Sequence, residues 1–252
     1  MKINFIDVIR RYGTFTRSHK LRPVNNFEGV AKKLSGAWLS RTIPLEQWQL
    51  AEVQLKKYES GESVAEFEVF TTAIEHAMGL GLMTIKSVLE IGCSSGYYGK
   101  VLARVQPELN YVGLDYSQNF IDLGKSKFPD LQLFVGDTRD IRYKNRSFGI
   151  VVSGSVLLHV YEWELGIKES CRVADKYMIL HRTPVSTSKT KLFTKNAYGT
   201  AMIQWTFNES ELINCAINNG FQLVQKWSVY EGTSISESAE LPSQFTYLFR
   251  RA

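Results

Sequence analysis

The chain has 252 residues, 44% of them apolar and 22% charged, a composition ordinary for a globular protein long enough to bury a full core. Its three cysteines, Cys93, Cys171 and Cys215, are odd in number and far apart, which excludes a disulfide framework or a zinc site. No apolar stretch approaches the ~18 residues that span a bilayer. The opening MKINFIDVIRRYG sets an acid and arginines where an export signal needs an apolar run, so the expectation is a reduced, cytoplasmic protein.

The net charge of +5 is unevenly placed. Residues 1–33 hold Lys2, Arg10, Arg11, Arg17, Lys20, Arg22, Lys32 and Lys33 against Asp7 and Glu28, and the rest of the chain sums to −1. Such an arm either contacts an anionic partner, such as a phosphorylated substrate, a lipid headgroup or nucleic acid, or is simply solvated. Two helices follow. Pro44 suits a first helical turn, and Leu45, Trp48, Ala51, Leu55 and Tyr58 share a face up to Gly61. Ser63 to Glu66 has capping-box spacing; Phe67, Phe70, Ile74, Ala77 and Met78 then recur at helical period until Gly79 and Gly81. These helices are expected to cover one side of a site, their aromatics serving as packing.

From Lys86 strands alternate with helices. Strands are expected at residues 86–91, 111–115, 131–135, 148–153, 177–181, 221–230 and 244–250. Helices are expected at 96–106, before Pro107, at 117–127, at 161–173, and from Asn208 or Ser210 to Gly220. The alternation predicts an α/β fold with a doubly wound, mostly parallel sheet of seven strands. Only the polar segment 231–243 separates the last two strands, so the final strand must run antiparallel. The expected organisation is a basic arm and N-terminal helical cap over 1–85 and an α/β domain over 86–252.

Residues 88–99 read VLEIGCSSGYYG: an apolar strand, a turn of small residues, a helix start. Such a loop lets backbone N–H groups and a helix N-terminus approach a ligand. Asp115, in YVGLDYS, closes the second strand 19 residues beyond Gly96, and Asp137, in FVGDTRDI, follows the third. Carboxylates at strand carboxyl ends face the crevice where open α/β sheets bind ligands. There they accept strong, charge-assisted hydrogen bonds; a turn residue or helix cap is the plainer reading of each acid. A dinucleotide fingerprint would need Gly-x-Gly-x-x-Gly, whereas the chain has Gly92-x-Ser94 and then Gly96-x-x-Gly99.

The order of these parts over about residues 86–250 resembles the class I S-adenosylmethionine-dependent methyltransferases. The resemblance implies an acid-x-Gly-x-Gly-x-Gly loop from Glu90 to Gly96 beside the methionine part of the cofactor, with Ser94 replacing the middle glycine. It implies that Asp115 binds the ribose hydroxyls and Asp137 the adenine amino group. The cofactor is then S-adenosylmethionine, bordered by Glu90, Gly92, Cys93, Ser94, Gly96, Asp115, Tyr116, Asp137, Thr138 and Ser153.

Methyl transfer from a sulfonium is an in-line displacement, and a base is needed only when the acceptor must lose a proton. The stretch SGSVLLHVYEWE puts His159 about one turn beyond the fourth strand, in a segment similar to the family's pocket-lining L-x-H-V. After the fifth strand, MILHRTPVS brings His181 and Arg182 to the rim. Either histidine is a candidate base, and Arg182 could grip an acceptor carboxylate or phosphate. A histidine bonded to backbone and a surface ion pair are the plainer readings. Residues 183–207, with Lys189, Lys191, Lys195, Tyr198 and Trp205, show little periodicity. They are expected as a lid or acceptor-binding element, with Tyr198 touching the acceptor, or as a structural excursion. Tyr97, Tyr98, Tyr116, Tyr161 and Trp163 crowd the same rim. The chain lacks the Asn-Pro-Pro-Tyr of DNA amino-methylating enzymes, the paired-glutamate loop of protein arginine methyltransferases and the acid cluster of a magnesium site. A small molecule or sugar-containing precursor, methylated at oxygen or nitrogen without a metal, is the expected acceptor. A non-catalytic cofactor-binding module and an RNA methyltransferase using the basic arm are the alternatives.

Overall fold

The computed structural model describes residues 21–24, 27–80, 85–230 and 242–252. Lys2, Arg10, Arg11, Arg17 and Lys20 of the arm, Gly81, and the polar stretch 231–241 lie outside the described residues. Among the described residues no helix is long and apolar enough to cross a membrane.

A two-residue strand, β1 (Arg22–Pro23), precedes helix α1 (Phe27–Leu34), a 3-10 turn at Ala37–Leu39, α2 (Ile43–Glu59) and α3 (Ala65–Leu80). In α2, Pro44 stands in the first turn, where its missing N–H has no helical partner to lose. Pro44, Trp48, Ala51 and Leu55 form a stripe at i, i+4, i+7 and i+11 and are buried. Leu45, expected on that face, lies at the stripe's margin and is exposed. Helix α3 buries Phe67, Phe70, Ile74 and Ala77 as its periodicity requires.

The α/β part runs β2 (Ser87–Ile91), α4 (Tyr97–Val105), β3 (Asn110–Asp115), α5 (Gln118–Lys127), β4 (Gln132–Val135) and β5 (Phe148–Gly154). After a 3-10 turn at Leu157–His159 come α6 (Trp163–Val173), β6 (Ala174–Ser186), β7 (Lys191–Ala197), β8 (Thr200–Asn208), α7 (Glu209–Asn218), β9 (Phe221–Tyr230) and β10 (Ser243–Arg251). The main sheet has the order β4-β3-β2-β5-β6-β10-β9. Its first five strands are parallel and β10 is antiparallel to both neighbours, as the missing helix between β9 and β10 demands. Alternate residues of β5 enter opposite cores. Ile150 and Val152 join Phe67, Phe70 and Tyr98 under α2–α4, while Val151 joins Trp163, Ile167 and Leu212 under α6 and α7.

All seven expected strands occur in this sheet, and among the described residues three more strands extend it. Strand β6 runs past the end of β5, whose last partner is His181 opposite Gly154. The bare edge at Val185 and Ser186 is taken up, in parallel, by Phe207 and Asn208 of β8. β7 returns antiparallel along β8, and β1 pairs with β7. Residues 183–207, which read as aperiodic, are therefore the end of β6 and a β-hairpin. The two turn residues, Tyr198 and Gly199, have φ of 52° and 66°, the double positive φ that a two-residue hairpin turn requires. The hairpin is pinned over the carboxyl ends of the parallel strands. The Trp205 indole donates to the Val160 carbonyl at 2.9 Å, and His159 Nδ1 bonds the Ile203 carbonyl at 2.7 Å.

Candidate functional site

The turn after β2 is built by backbone geometry. Gly92 and Gly96 have φ of 65° and 77°, and a Cβ on Gly92 would stand 1.7 Å from Val156 Cγ2, so no larger residue fits there. Ser94, where the resemblance expects a glycine, is also left-handed at φ 55°. Its N–H donates to Asp115 Oδ2 at 2.9 Å and its hydroxyl bonds Gln47 Oε1, tying α2 to the loop. Cys93 is buried among apolar residues and its N–H donates to the Leu114 carbonyl at 2.9 Å. Its thiol packs under Gly113, so only its backbone is at the turn.

The three acids sit on successive strand tips with different partners. Glu90 is buried; the Tyr111 hydroxyl donates to its Oε2, and its Oε1 faces Gly154. Burial pushes its pKa up to about 8 against the lowering effect of that hydroxyl, and the Asp115 charge adds to the rise. Asp115 is buried as well, with Oδ1 and Oδ2 accepting the Ser117 and Ser94 N–H groups at 2.9 Å each. Burial raises it to about 6, partly offset by those two bonds. Asp137 differs. Arg139 donates to both of its oxygens, its backbone N–H adds a bond at 2.8 Å, and a further guanidinium N–H reaches Glu162 at 2.7 Å. Arg139 holds the Asp137 carboxyl below the usual range and leaves an adenine amino group only the lone pairs it does not use. The spacing Asp137-x-Arg139 is the signal that sequence reasoning passed over.

Tyr116 is partly exposed and its hydroxyl donates to the Ser35 carbonyl at 3.2 Å, linking the second strand tip to the segment before α2. Thr138 is half-buried with its hydroxyl unpartnered among the described residues, beside Gly166. Ser153 is buried on β5, in register with Ile91.

Above the tips lies an aromatic roof that the sequence did not announce. Trp38 stacks at a tilt on His159, with ring centroids 4.8 Å apart, and contacts Tyr198 and Phe120 at 6.0 and 6.3 Å. Its indole nitrogen is buried without a partner among the described residues. Because the Ile203 carbonyl can only accept, His159 carries its proton on Nδ1, and its Nε2 lone pair has no hydrogen-bond partner among the described residues. Burial first, and the Lys195 charge second, hold His159 well below its ordinary pKa, so it is neutral at pH 7.

His181 requires the largest correction. It was expected at the rim as a candidate base, and it is wholly buried. Its Nδ1 bonds Thr246 Oγ1 at 2.8 Å and its Nε2 bonds the Tyr98 hydroxyl at 3.0 Å. Both ring nitrogens are committed, and no face of the ring is open to an acceptor. The cause is a β-bulge: on β10, Phe245 pairs with Thr183 and Tyr247 with Leu180, so Thr246 alone faces both His181 and Arg182. The extra residue, Arg182, takes φ 55° and turns toward α4. There its charge acts on Tyr98, whose hydroxyl bonds His181 Nε2 at 3.0 Å. Arg182 Nε is buried without a partner among the described residues. Lys195, on β7, approaches from the roof; burial and the Arg182 charge hold its amine down to about 8.

Among the described residues neither Glu90 nor Asp115 has a cation within ion-pair distance, and neither Arg182 nor Lys195 has a carboxylate. No cluster of metal-ligating side chains occurs among them either.

Residues 89–177 match the family model described as a methyltransferase domain. A demethylmenaquinone methyltransferase of Staphylococcus aureus (strain JH9) is 27% identical over 123 residues, covering 47% of this chain and 51% of that protein; the chain thus spans about half the length of the curated relatives it matches. An S-adenosylmethionine-dependent methyltransferase from Clostridium acetobutylicum ATCC 824 shares the fold at a TM-score of 0.58 and 11% identity, over 81% of this chain and 98% of that one. The magnesium protoporphyrin IX methyltransferase of Synechocystis PCC 6803, solved with bound S-adenosylmethionine, superposes at 0.55 and 15% identity, over 75% of this chain and 80% of that one. Residues 89–177 of this chain thus match a methyltransferase domain, and its α/β part has the fold of S-adenosylmethionine-dependent methyltransferases.

Proposed function

We propose that the chain transfers a methyl group from S-adenosylmethionine to a hydroxyl or amine of a small-molecule or sugar-containing acceptor. The observation that carries this reading is the pair of buried acids, Glu90 and Asp115, on adjacent strand tips with no cation in ion-pair distance of either among the described residues. Buried carboxyl groups of this kind, bonded within the chain by a few donors and by no cation, gain further from donors that a ligand brings. The cofactor offers matching groups, an ammonium for Glu90 and two ribose hydroxyls for the lone pairs that Asp115 has left. When bound, it supplies an electrophilic methyl group on a sulfonium.

The chain's own residues have three tasks. Glu90, Asp115 and the Gly92–Gly96 turn hold the donor, with Tyr116, Asp137 and Thr138 bordering its adenine. Trp38, Tyr198 and the β7–β8 hairpin exclude water above it. Holding donor and acceptor in line contributes up to about 7–11 kcal/mol toward the barrier. His159, neutral and with no partner on Nε2 among the described residues, takes the proton of a hydroxyl acceptor as it attacks. The roof favours an acceptor small enough to lie beneath it, and the staphylococcal relatives act, by name, on a small molecule.

The test is a transfer assay with methyl-labelled S-adenosylmethionine and a panel of small hydroxylated and amino acceptors. Label should appear in at least one hydroxylated acceptor. His159→Asn should lower that rate by about 10²–10⁴, the usual range for losing a general base. Tight binding of the donor with no transfer to any acceptor would favour a non-catalytic module. An unchanged rate in the variant would remove His159 from the base role.

A further inference from the structure

We infer that Arg182 and Lys195 form a seat for one anionic group, a carboxylate or a phosphate, carried by the methyl acceptor. The inference rests on the methyl-transfer reading for the word acceptor; the anion seat itself rests on geometry alone.

Arg182 is a bulged, left-handed, non-glycine residue, a backbone that a side chain with a Cβ adopts only at a cost. Bulges beside active sites commonly serve to re-aim a side chain. Behind the re-aimed guanidinium stand Tyr98, His181 and Thr246. The Tyr98 hydroxyl bonds His181 Nε2 at 3.0 Å, and His181 Nδ1 bonds Thr246 Oγ1 at 2.8 Å. Arg182 Nε, although buried, is without a partner among the described residues. Lys195 comes from a different element, the hairpin strand β7, yet the two charges are close enough to act on each other. Glu66 acts on Arg182 from beyond ion-pair distance, and among the described residues no carboxylate pairs with either cation; two like charges converging in a partly desolvated space are costly unless an anion joins them. A guanidinium fork beside an ammonium matches the oxygens of a carboxylate or phosphate.

The donor has a carboxylate of its own, so its amino-acid end is the competing source of this anion. Placement separates the two. Glu90, which suits the donor's ammonium, lies on β2, and β5 intervenes between it and β6, so the axes of their strands stand about 10 Å apart. Lys195 is the charge that acts on His159, so the seat adjoins the candidate base. Charge balance agrees. The donor brings a net positive charge, and a second pocket holding two more cations admits it best when the other substrate is negative.

Calorimetric titration of the S-adenosylhomocysteine-loaded protein with benzoate, inorganic phosphate and uncharged benzamide tests this. Wild-type protein should bind benzoate or phosphate below about 10 mM and benzamide at least about tenfold more weakly. Whichever anion binds identifies the preferred group. Arg182→Gln and Lys195→Gln should each lose at least about tenfold in anion affinity while S-adenosylhomocysteine affinity stays within about threefold. Lys195 lies on a half-exposed hairpin strand, so that variant decides the matter even if Arg182→Gln fails to fold. Failure of both anions to bind, or unchanged anion affinity in Lys195→Gln, overturns the inference. A tenfold loss of S-adenosylhomocysteine affinity in both variants assigns the seat to the donor's carboxylate and also overturns it. If the wild-type protein binds no S-adenosylhomocysteine, the methyl-transfer reading fails, and the same anion titrations on the free protein still decide whether the seat exists.

Discussion

At φ 55° Ser94 takes a conformation that a glycine adopts without cost, which is why the resemblance expects glycine there. The substitution was legible in the sequence; what offsets it was not, because the bonds to Asp115 and Gln47 join residues 21 and 47 positions away. Glu90 shows a second effect of burial. Its carboxyl goes from an ordinary 4.5 to about 8, so the folded chain keeps a proton that the unfolded chain releases. Stability from this group therefore falls as pH rises from about 4.5 through about 8, with a slope of at most about 1.4 kcal/mol per pH unit. Between pH 7 and 8, denaturant titrations should show wild-type stability falling relative to Glu90→Gln. Parallel profiles would place the ionised acid at no disadvantage and contradict the assignment. Binding an ammonium reverses the sign, so donor affinity should rise with pH over the same interval.

The elements divide by how local their signals are. The run from β2 through β4 was legible because each strand is a short apolar segment bounded by a small-residue turn or a capped helix. Asn208 also reads correctly, since its side chain accepts the Glu211 N–H at 3.0 Å. The β7–β8 hairpin was not legible. Its strands bury residues on both faces, against α1 on one and against Trp38 and α5 on the other, so no clean alternation survives in the sequence. Only Gly199 between two β-rich segments hints at the turn. A Cβ at Gly199 meets nothing within 4 Å, so Gly199→Ala tests backbone strain alone. It should cost about 1 kcal/mol and speed amide exchange throughout residues 191–208 while leaving β2–β4 unchanged. Unaltered exchange in the hairpin would mean that the turn does not control the roof.

At the scale of the whole molecule the buried charges are segregated. Among the described residues, acids with no cation in ion-pair distance line the tips of β2 and β3, and Arg182 and Lys195, with no acid in ion-pair distance, act on each other between β6 and β7. Each group alone is unfavourable, and together they describe two ligands of opposite electrostatic demand side by side. The acids were readable from strand-end positions. The cations were only half readable: Arg182 was visible as a rim residue, whereas Lys195 reaches it through a hairpin and a bulge that appear only in three dimensions. His181 was misplaced for the same reason, because a bulge changes which residue of a pair faces inward. The claim beneath all of this is that the strand tips hold the methyl donor through Asp115. It is tested most directly by calorimetric titration of S-adenosylhomocysteine into wild-type and Asp115→Asn protein, with thermal melts to verify folding. Losing charge-assisted bonds to the ribose should weaken binding by about 10–100-fold in the folded variant. Equal affinities in the two proteins, or no binding to the wild type, would contradict it.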